Sequence, residues 1–183
     1  MKNNKRIIIE DYKRIYPNGL NFFVKIKNIL TKDMTYFKYR YIKYMRISNS
    51  LSYNNNIFNN IKKLFYDRKK NKYGMILGYE IFSNNIGGGL CLYHNGPIVI
   101  NRNSIIGSNC SLHGDNCIGN DGISDDCPVI GDNVEIGVGA KIIGNVRIAN
   151  NVTVGAGAVV VSDILKENSV VVGVPAKIIK IKQ

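Results

Sequence analysis

Aliphatic residues recur at every sixth position through the second half of the chain. The series begins at residue 100, is interrupted between residues 119 and 128, and resumes at residue 130. A period of six fits neither an α-helix, with about 3.6 residues per turn, nor a plain strand, in which side chains simply alternate. It is typical of short strands wound into a stacked coil, with the aliphatic side chain pointing inward. The members of the series are Ile100, Ile106, Leu112, Ile118, Ile130, Ile136, Ile142, Ile148, Val154 and Val160.

Two irregularities interrupt this pattern. An earlier six-residue step through Ile86, Leu92 and Ile98 shifts by two positions at Ile100, which blurs the first coil. Residues 119–128 are rich in Gly, Asp and Ser and predict a loop that protrudes from the coil at about those positions. Loops on a rigid scaffold often carry functional residues. We therefore predict a coiled β domain over residues 76–183 with one protruding loop.

The first part of the chain has a different pattern. Residues 1–75 carry apolar side chains at helical spacing and predict an α-helical N-terminal region, with helices near residues 5–16, 21–30, 35–47 and from residue 57 to the low 70s. The charge divides at the same place. Residues 1–75 hold 18 Lys and Arg against 4 Asp and Glu, a net of +14, and the remainder holds 7 against 9, a net of −2. This asymmetry indicates two regions of different character.

The basic half admits two interpretations. Its Lys and Arg either cover solvated helix faces or attract an anionic partner, such as a lipid headgroup, a nucleotide-linked sugar or an acidic glycan. Peripheral contact with a membrane surface is one form of the second interpretation. No nucleic-acid-binding motif occurs in the sequence, so nucleic acid is not an expected partner.

Four cysteines constrain the compartment and the metal chemistry. No C-x-x-C pair, apolar leader segment or run of 18 apolar residues occurs, so we expect free thiols in a cytoplasmic protein. Cys91 and Cys110 each precede a histidine by three residues, a pairing that could suit zinc. Residues three apart on a strand point to opposite faces, so no metal site is expected. The cysteines are Cys91, Cys110, Cys117 and Cys127.

Three segments resemble the hexapeptide-repeat acyltransferases of the serine acetyltransferase branch. They are GLCLYHNGPIVIN at residues 89–101, the run at residues 128–163, and VVGVPAKII at residues 171–179. The resemblance implies a mainly β fold, a left-handed parallel β-helix of hexapeptide repeats preceded by helices. It also implies a homotrimer, with acetyl-CoA as the acyl donor lying in the cleft between neighbouring coils.

The same resemblance implies the catalytic groups. His94 takes the position of the family's catalytic histidine and is expected to act as general base on the acceptor hydroxyl, a task that suits a pKa near neutral. The family places a carboxylate about fifteen residues upstream, where it orients the histidine. In this chain Glu80 lies fourteen residues before His94 and Tyr79 lies fifteen before it. A one-residue deletion within residues 82–85 would bring Glu80 into register.

The residues expected to bind the acceptor depart from the family pattern. In the serine enzymes an acid precedes the catalytic histidine and a basic residue followed by histidine stands in the loop, whereas this chain has Tyr93, Asp126 and Cys127 there. An aromatic side chain suits a sugar ring, so we expect a sugar hydroxyl of a surface polysaccharide or its precursor, with Tyr93 and Asp126 in contact with it. His113 either joins this site or is an outward polar residue.

Three other functions compete with this one. They are a serine O-acetyltransferase of cysteine biosynthesis, a hexapeptide-repeat carbonic anhydrase and a non-catalytic trimeric scaffold. The carbonic anhydrases need three zinc-binding histidines and the chain has two. For acetyl-CoA, the resemblance points to small corner residues and to two lysines that could meet phosphates. These residues are Gly139, Ala140, Lys141, Gly157, Ala158, Pro175, Ala176 and Lys177.

Overall fold

A computed structural model describes residues 2–182, with side chains from residue 4 onward. The chain divides into two compact units at Gly78 and Tyr79, whereas the sequence pattern put the change at residues 75 and 76. The first unit is helical and the second is a parallel β-helix of about five coils, so the predicted fold class is confirmed.

The helical unit contains four helices among the residues described, and side chains cap three of them. Asn21, Asp33 and Asn56 each accept a hydrogen bond from a backbone N–H two or three residues further on, which satisfies groups left unpaired at a helix start. Gly78 ends the last helix with a φ of +79°, in the left-handed region that glycine tolerates. The helices are α1 (Lys2–Ile15), α2 (Phe22–Leu30), α3 (Met34–Asn49) and α4 (Ile57–Leu77).

Helix α3 supplies most of the core of this unit. Tyr41, Ile42 and Met45 on α3 are almost fully buried. Arg46 at the end of α3 forms a buried ion pair with Asp11 of α1, with 2.9 Å between Nε and Oδ2. A buried pair of this kind costs desolvation but penalises any arrangement that separates the two charges. None of the described helices has the length and apolar character that crossing a bilayer would require.

The β-helix has three faces, each a parallel sheet. The first face contains β1, β4, β7, β10 and β13, the second β2, β5, β8 and β11, and the third β3, β6, β9, β12, β14 and β15, of which only β15 runs antiparallel. The strands are β1 (Tyr79–Ile81), β2 (Asn85–Ile86), β3 (Cys91–Leu92), β4 (Ile98–Ile100), β5 (Ile105–Ile106), β6 (Ser111–Leu112), β7 (Asn116–Gly119), β8 (Val129–Ile130), β9 (Glu135–Ile136), β10 (Lys141–Ile143), β11 (Arg147–Ile148), β12 (Thr153–Val154), β13 (Val159–Val160), β14 (Ser169–Val172) and β15 (Lys177–Ile181).

The six-residue series forms the core of the β-helix, as its period predicts. Each face contributes one column of inward aliphatic side chains, one residue per coil, and the pairing register aligns them. Every member of the three columns is at least 95% buried. The columns are Ile81, Ile100, Ile118, Ile142 and Val160; Ile86, Ile106, Ile130, Ile148 and Ile164; and Leu92, Leu112, Ile136, Val154 and Val171.

Small residues at the corners allow the coils to stack closely. A Cβ added at Gly107 would come within 2.6 Å of the carbonyl carbon of Gly131 in the next coil, closer than real Cβ atoms approach. At a neighbouring position of the same corner, Asn109 and Asn133 adopt positive φ, and the Asn109 side chain donates to Asn133 Oδ1 at 3.1 Å. The corner glycines are therefore required by contact between coils.

Both irregularities of the sequence pattern correspond to irregular turns. Ile81 and Ile86 point inward in one coil, and Ile100 and Ile106 are their partners in the next coil. The turn at residues 82–85 is therefore one residue shorter than the corresponding turn between Ile100 and Ile106. The step from the inward Leu92 to the inward Ile100 is two residues longer than the regular six-residue step. The interruption after Ile118 is an exposed loop between β7 and β8.

We predict that the two neighbouring isoleucines of β5 differ sharply in their contribution to stability. Ile106 is 2% exposed and Ile105 is 46% exposed. Ile106→Ala should lower the free energy of unfolding by about 2–5 kcal/mol, because it leaves a cavity in the inward column. Ile105→Ala, the matched control, should change it by less than about 1 kcal/mol. Urea unfolding followed by circular dichroism measures both, and equal losses would contradict the assigned inward register.

Candidate functional site

One corner of the β-helix gathers most of the predicted site residues. We call it the His94 corner, defined as the turns from the third face to the first at residues 93–97, 113–115, 137–140 and 155–158, together with the β14–β15 turn at residues 173–176, which is hydrogen-bonded to Val159. It holds Tyr93, His94, His113, Gly139, Ala140, Gly157, Ala158, Pro175 and Ala176, so residues that are distant in sequence stand in one column across the coils.

Two neighbouring elements hold the backbone around His94. The hydroxyl of Tyr79, on β1, donates to the carbonyl oxygen of His94 at 2.8 Å. Gly114 lies in the next coil with a φ of +103°, and a Cβ added there would come within 3.3 Å of His94 Cβ. The imidazole itself is exposed in the single chain. Its backbone is thus fixed while its ring remains accessible to a substrate.

Glu80 follows Tyr79 on β1, in the first face. It is exposed and is opposite Val99 in the pairing of β1 with β4. Among the residues described, no hydrogen bond or ion pair joins Glu80 to His94, and the residue fifteen positions upstream, Tyr79, contacts the histidine backbone instead. The orienting role of Glu80 remains a prediction.

A second imidazole is held close to the first. The rings of Tyr93 and His113 stack with their centroids 4.4 Å apart and an interplanar angle of 10°. Nε2 of His113 lies 3.0 Å from Oε1 of Glu135 on β9. The His113 ring centroid is 6.4 Å from that of His94. His113 therefore belongs to the His94 corner, with its ring fixed by an aromatic face and a carboxylate.

Glu135 is a site residue that the sequence analysis missed. It occupies the outward position before the inward Ile136, and it is in register with Ser111, two residues before His113. The six-residue spacing places Glu135 beside Ser111 and does not indicate that its side chain reaches His113. A carboxylate bonded to one ring nitrogen selects the tautomer in which that nitrogen carries the proton, which leaves Nδ1 to face other groups.

The protruding loop lies at another corner. Residues 120–128 connect the first face to the second, whereas the His94 corner connects the third face to the first. Asp126 is exposed and accepts a hydrogen bond from Asn145 Nδ2 at 3.3 Å. Backbone N–H groups of Ser124 and Ile123 lower the pKa of Asp121 and shape the loop tip. Within one chain, Asp126 and His94 are not brought together.

The residues expected to hold acetyl-CoA differ in accessibility. Gly139 and Gly157 have positive φ and follow one another down the corner, and an added Cβ at Gly157 would meet nothing within 4 Å. Ala140, Ala158 and Ala176 are buried, so they pack beneath the corner and offer a ligand little surface of their own. The corner thus presents a narrow strip of exposed backbone, and Pro175 is exposed at its end.

The two lysines expected at the donor site begin strands beside this strip. Lys141 pairs with Asp115, with 3.1 Å between Nζ and Oδ1, and also donates to the Asp115 carbonyl at 2.6 Å. Lys177 begins β15 and is exposed. All four cysteines are free. Among the described residues, no three His, Cys, Asp or Glu side chains are grouped as metal ligands.

Comparison with known proteins identifies relatives of the β-helix. A family described as bacterial transferase hexapeptide (six repeats) matches residues 127–162, which include β8 to β13. A rice protein (Oryza sativa subsp. japonica) named "Probable serine acetyltransferase 1" is 45% identical over 65 residues. That match spans 34% of this chain and 22% of the rice protein, so it covers well under two thirds of the relative's length.

Solved structures match the whole chain. The serine acetyltransferase of Neisseria gonorrhoeae is 28% identical, with a TM-score of 0.72 over 100% of this chain and 68% of its own. The same enzyme in complex with serine is 29% identical, with a TM-score of 0.70 over 97% and 69%. A Brucella abortus serine acetyltransferase in complex with coenzyme A is 24% identical, with a TM-score of 0.70 over 98% and 68%, a likeness of fold alone.

Each of these solved structures is called a serine acetyltransferase and none a sugar acetyltransferase. In its overall fold the chain is similar to serine acetyltransferases, and its residues 127–162 match the hexapeptide-repeat transferase family.

Proposed function

We propose that this protein is an acetyl-CoA-dependent O-acetyltransferase of the serine acetyltransferase type, with His94 as general base. The observation that carries the proposal is the likeness to the gonococcal enzyme, which extends over the whole chain at 28% identity. The position of His94 at a corner lined by accessible backbone adds chemical support, because a thioester and a hydroxyl could meet there.

The reaction requires one proton to move as one bond forms. His94 removes the proton from the acceptor hydroxyl while its oxygen attacks the carbonyl carbon of the acetyl thioester. The tetrahedral intermediate then collapses, the carbon–sulfur bond breaks, and the imidazolium returns the proton to the departing thiolate. No acyl-enzyme is needed. Backbone N–H groups at the corner would stabilise the oxyanion.

The donor is proposed to lie along the His94 corner. Gly139 and Gly157 leave room for a pantetheine arm to approach the backbone, and Lys141 and Lys177 stand beside the strip as charges for phosphate groups. Lys141 would exchange or share its pairing with Asp115. Coenzyme A in the Brucella structure, which has the same fold, supports this choice of donor.

Serine is the leading acceptor in this proposal, in place of the sugar expected from the sequence alone. The gonococcal enzyme, which is 29% identical over 97% of this chain, has been solved with serine. The position before His94 holds Tyr93 rather than an acid, so another carboxylate must receive the ammonium group. Asp115 and Glu135 supply carboxylates in the two coils below His94.

A sugar hydroxyl is the second candidate, and a specific feature favours it. Tyr93 is 46% exposed beside His94, and one face of its ring is already covered by His113. The remaining face and the phenol hydroxyl suit a pyranose ring. Asp126, which stands in the loop where the serine enzymes carry a basic residue, would accept hydrogen bonds from sugar hydroxyls but would repel the carboxylate of serine.

We further propose a homotrimer in which neighbouring copies complete the site. Asp126 and His94 lie at different corners of one chain, and both are exposed. A role for Asp126 in acceptor binding therefore needs the loop of a second copy. A role for Glu80, which is exposed on the face between these two corners, rests on the family resemblance and on its place in the strand adjoining the His94 turn.

We predict that His94→Ala lowers the rate of acetyl transfer by about two or more orders of magnitude, because a positioned base contributes roughly 10²–10⁴-fold. Release of free coenzyme A, detected with a thiol reagent, measures the rate. Asn95→Ala, at the exposed neighbouring position, is the control and should retain activity. Light scattering should give the same oligomer for both variants. Full activity in His94→Ala would refute the assignment of the base.

We predict that Glu135→Gln raises the KM for the acceptor by roughly tenfold and leaves the KM for acetyl-CoA unchanged, since it removes a charge-assisted bond to His113. Glu167→Gln is the matched control, because Glu167 is also exposed and accepts one hydrogen bond, from Asn150 Nδ2 at 3.0 Å, at a different corner. Parallel changes in both variants, or an equal rise in both KM values, would contradict a positioning role for Glu135.

We predict that wild-type protein transfers acetyl groups to serine faster than to nucleotide-linked sugars, and that Tyr93→Asp increases kcat/KM for serine by adding a carboxylate beside His94. Mass spectrometry of each acceptor after incubation with acetyl-CoA identifies the product. Acetylation of a sugar with none of serine would replace the first candidate by the second and leave His94 as the base.

A further inference from the structure

Helix α2 leaves much of its apolar surface exposed. None of its nine residues is buried. Phe22, Phe23 and Leu30 are 69%, 78% and 76% exposed, and Ile26 and Ile29 are 40% and 47% exposed. A contiguous exposed apolar surface of this kind marks an interaction site, because leaving it in water is unfavourable.

The apolar residues of α2 form one stripe bordered by lysines. With about 100° between successive helical residues, Phe22, Phe23, Ile26, Ile29 and Leu30 fall within an arc of about 120°. Lys25 borders this arc on one side and Lys27 borders it on the other. Long lysine side chains can lay their methylene groups along an apolar surface while the ammonium reaches a polar layer. The helix therefore matches a flat boundary between apolar and anionic layers.

Charge around α2 is mainly positive, and the nearest acid in the sequence is Asp33, three residues past the end of the helix. Residues 12–32 contain five basic residues and no acidic residue, and the N-terminal 75 residues carry a net charge of +14. Two copies of α2 packed face to face would bring these charges together and would pay an electrostatic penalty. An anionic membrane surface involves no such repulsion, and it attracts each lysine that lies close to it.

We propose that α2 lies in the headgroup layer of an anionic phospholipid membrane, with its Phe, Ile and Leu side chains in the outer part of the acyl region. The protein is then peripheral, held by one amphipathic helix and the basic residues around it. This inference stands independently of acetyl transfer, because it uses no residue of the His94 corner.

The test is sedimentation of the full-length protein with vesicles. Vesicles of phosphatidylcholine and phosphatidylglycerol in equal parts should bind it, and vesicles of phosphatidylcholine alone should bind it at least about tenfold more weakly. Phe23→Glu should reduce binding to the anionic vesicles by about tenfold or more, because one aromatic side chain is lost from the apolar layer and one repelled charge is added. Leu165→Glu, at a residue 68% exposed in the β-helix, should bind like wild type.

A fluorescence measurement covers the case in which Phe23→Glu does not fold. The chain contains no tryptophan, so Phe23→Trp introduces a single reporter on α2. Its emission should shift to the blue with anionic vesicles and should be quenched by brominated acyl chains, whereas Leu165→Trp should show neither change. Added salt should weaken binding without abolishing it, because only the charge contribution is screened.

Three results would overturn the proposal. Equal binding by wild type and a folded Phe23→Glu would show that α2 is not the contact. A lower mass for Phe23→Glu in light scattering, with no vesicle binding by wild type, would assign the stripe to a second copy. Tighter binding to a DNA oligonucleotide than to vesicles would assign the basic surface to nucleic acid.

Discussion

Stacking of inward aliphatic side chains, one per face per coil, is the constraint on which the β-helix depends. Backbone hydrogen bonds between coils hold neighbouring strands in register, and the buried columns prevent that register from slipping, because a shift by one residue would turn each aliphatic side chain outward. This stacking determines which outward side chains are neighbours. Residues separated by a coil of sequence stand next to one another, so an outward position in one coil, such as Tyr93, reaches the corresponding position in the next, His113.

The same constraint explains where the chain can tolerate irregularity. An extra residue cannot enter a strand without breaking the inward column, so it must enter at a corner. The two-residue excess between Leu92 and Ile100 falls in the turn that holds His94, and the larger insertion after Ile118 forms the loop that holds Asp126. A longer turn moves a side chain away from the regular stack and lets it project. The breaks in the six-residue pattern, more than the pattern itself, indicate where the candidate site residues lie.

The sequence was sufficient to predict what depends on periodicity and insufficient for what depends on side-chain contacts between coils. The inward positions from Ile100 to Val160, the loop after β7 and the four helices follow from spacing, and the structure contains them. The shortened turn before β2 was expected only from the family resemblance. The contact of Tyr79 with the His94 backbone and the bond of Glu135 to His113 could not be read in the same way. They depend on which outward side chains are long enough to reach the next coil. The exposure of α2 could not be predicted from the sequence either, because an apolar stripe at helical spacing normally predicts burial.

In the proposed mechanism, acceptor choice depends on how charge is distributed at the His94 corner, and there the chain departs from the pattern expected of serine enzymes. Serine brings an ammonium and a carboxylate, so it needs groups of both signs near the base. Tyr93 is neutral, and Glu135 and Asp115 already have cationic or hydrogen-bonding partners in His113 and Lys141. Binding serine would require these carboxylates to share their partners, which weakens the existing bonds by part of what the ammonium gains. A sugar places no such demand, because its hydroxyls both donate and accept.

Likeness of sequence and fold favours serine, and the local charge pattern at the corner favours the sugar. The two arguments concern different parts of the protein. Fold similarity concerns the scaffold that positions His94, whereas Tyr93 and His113 contact one another at the surface proposed to receive the acceptor.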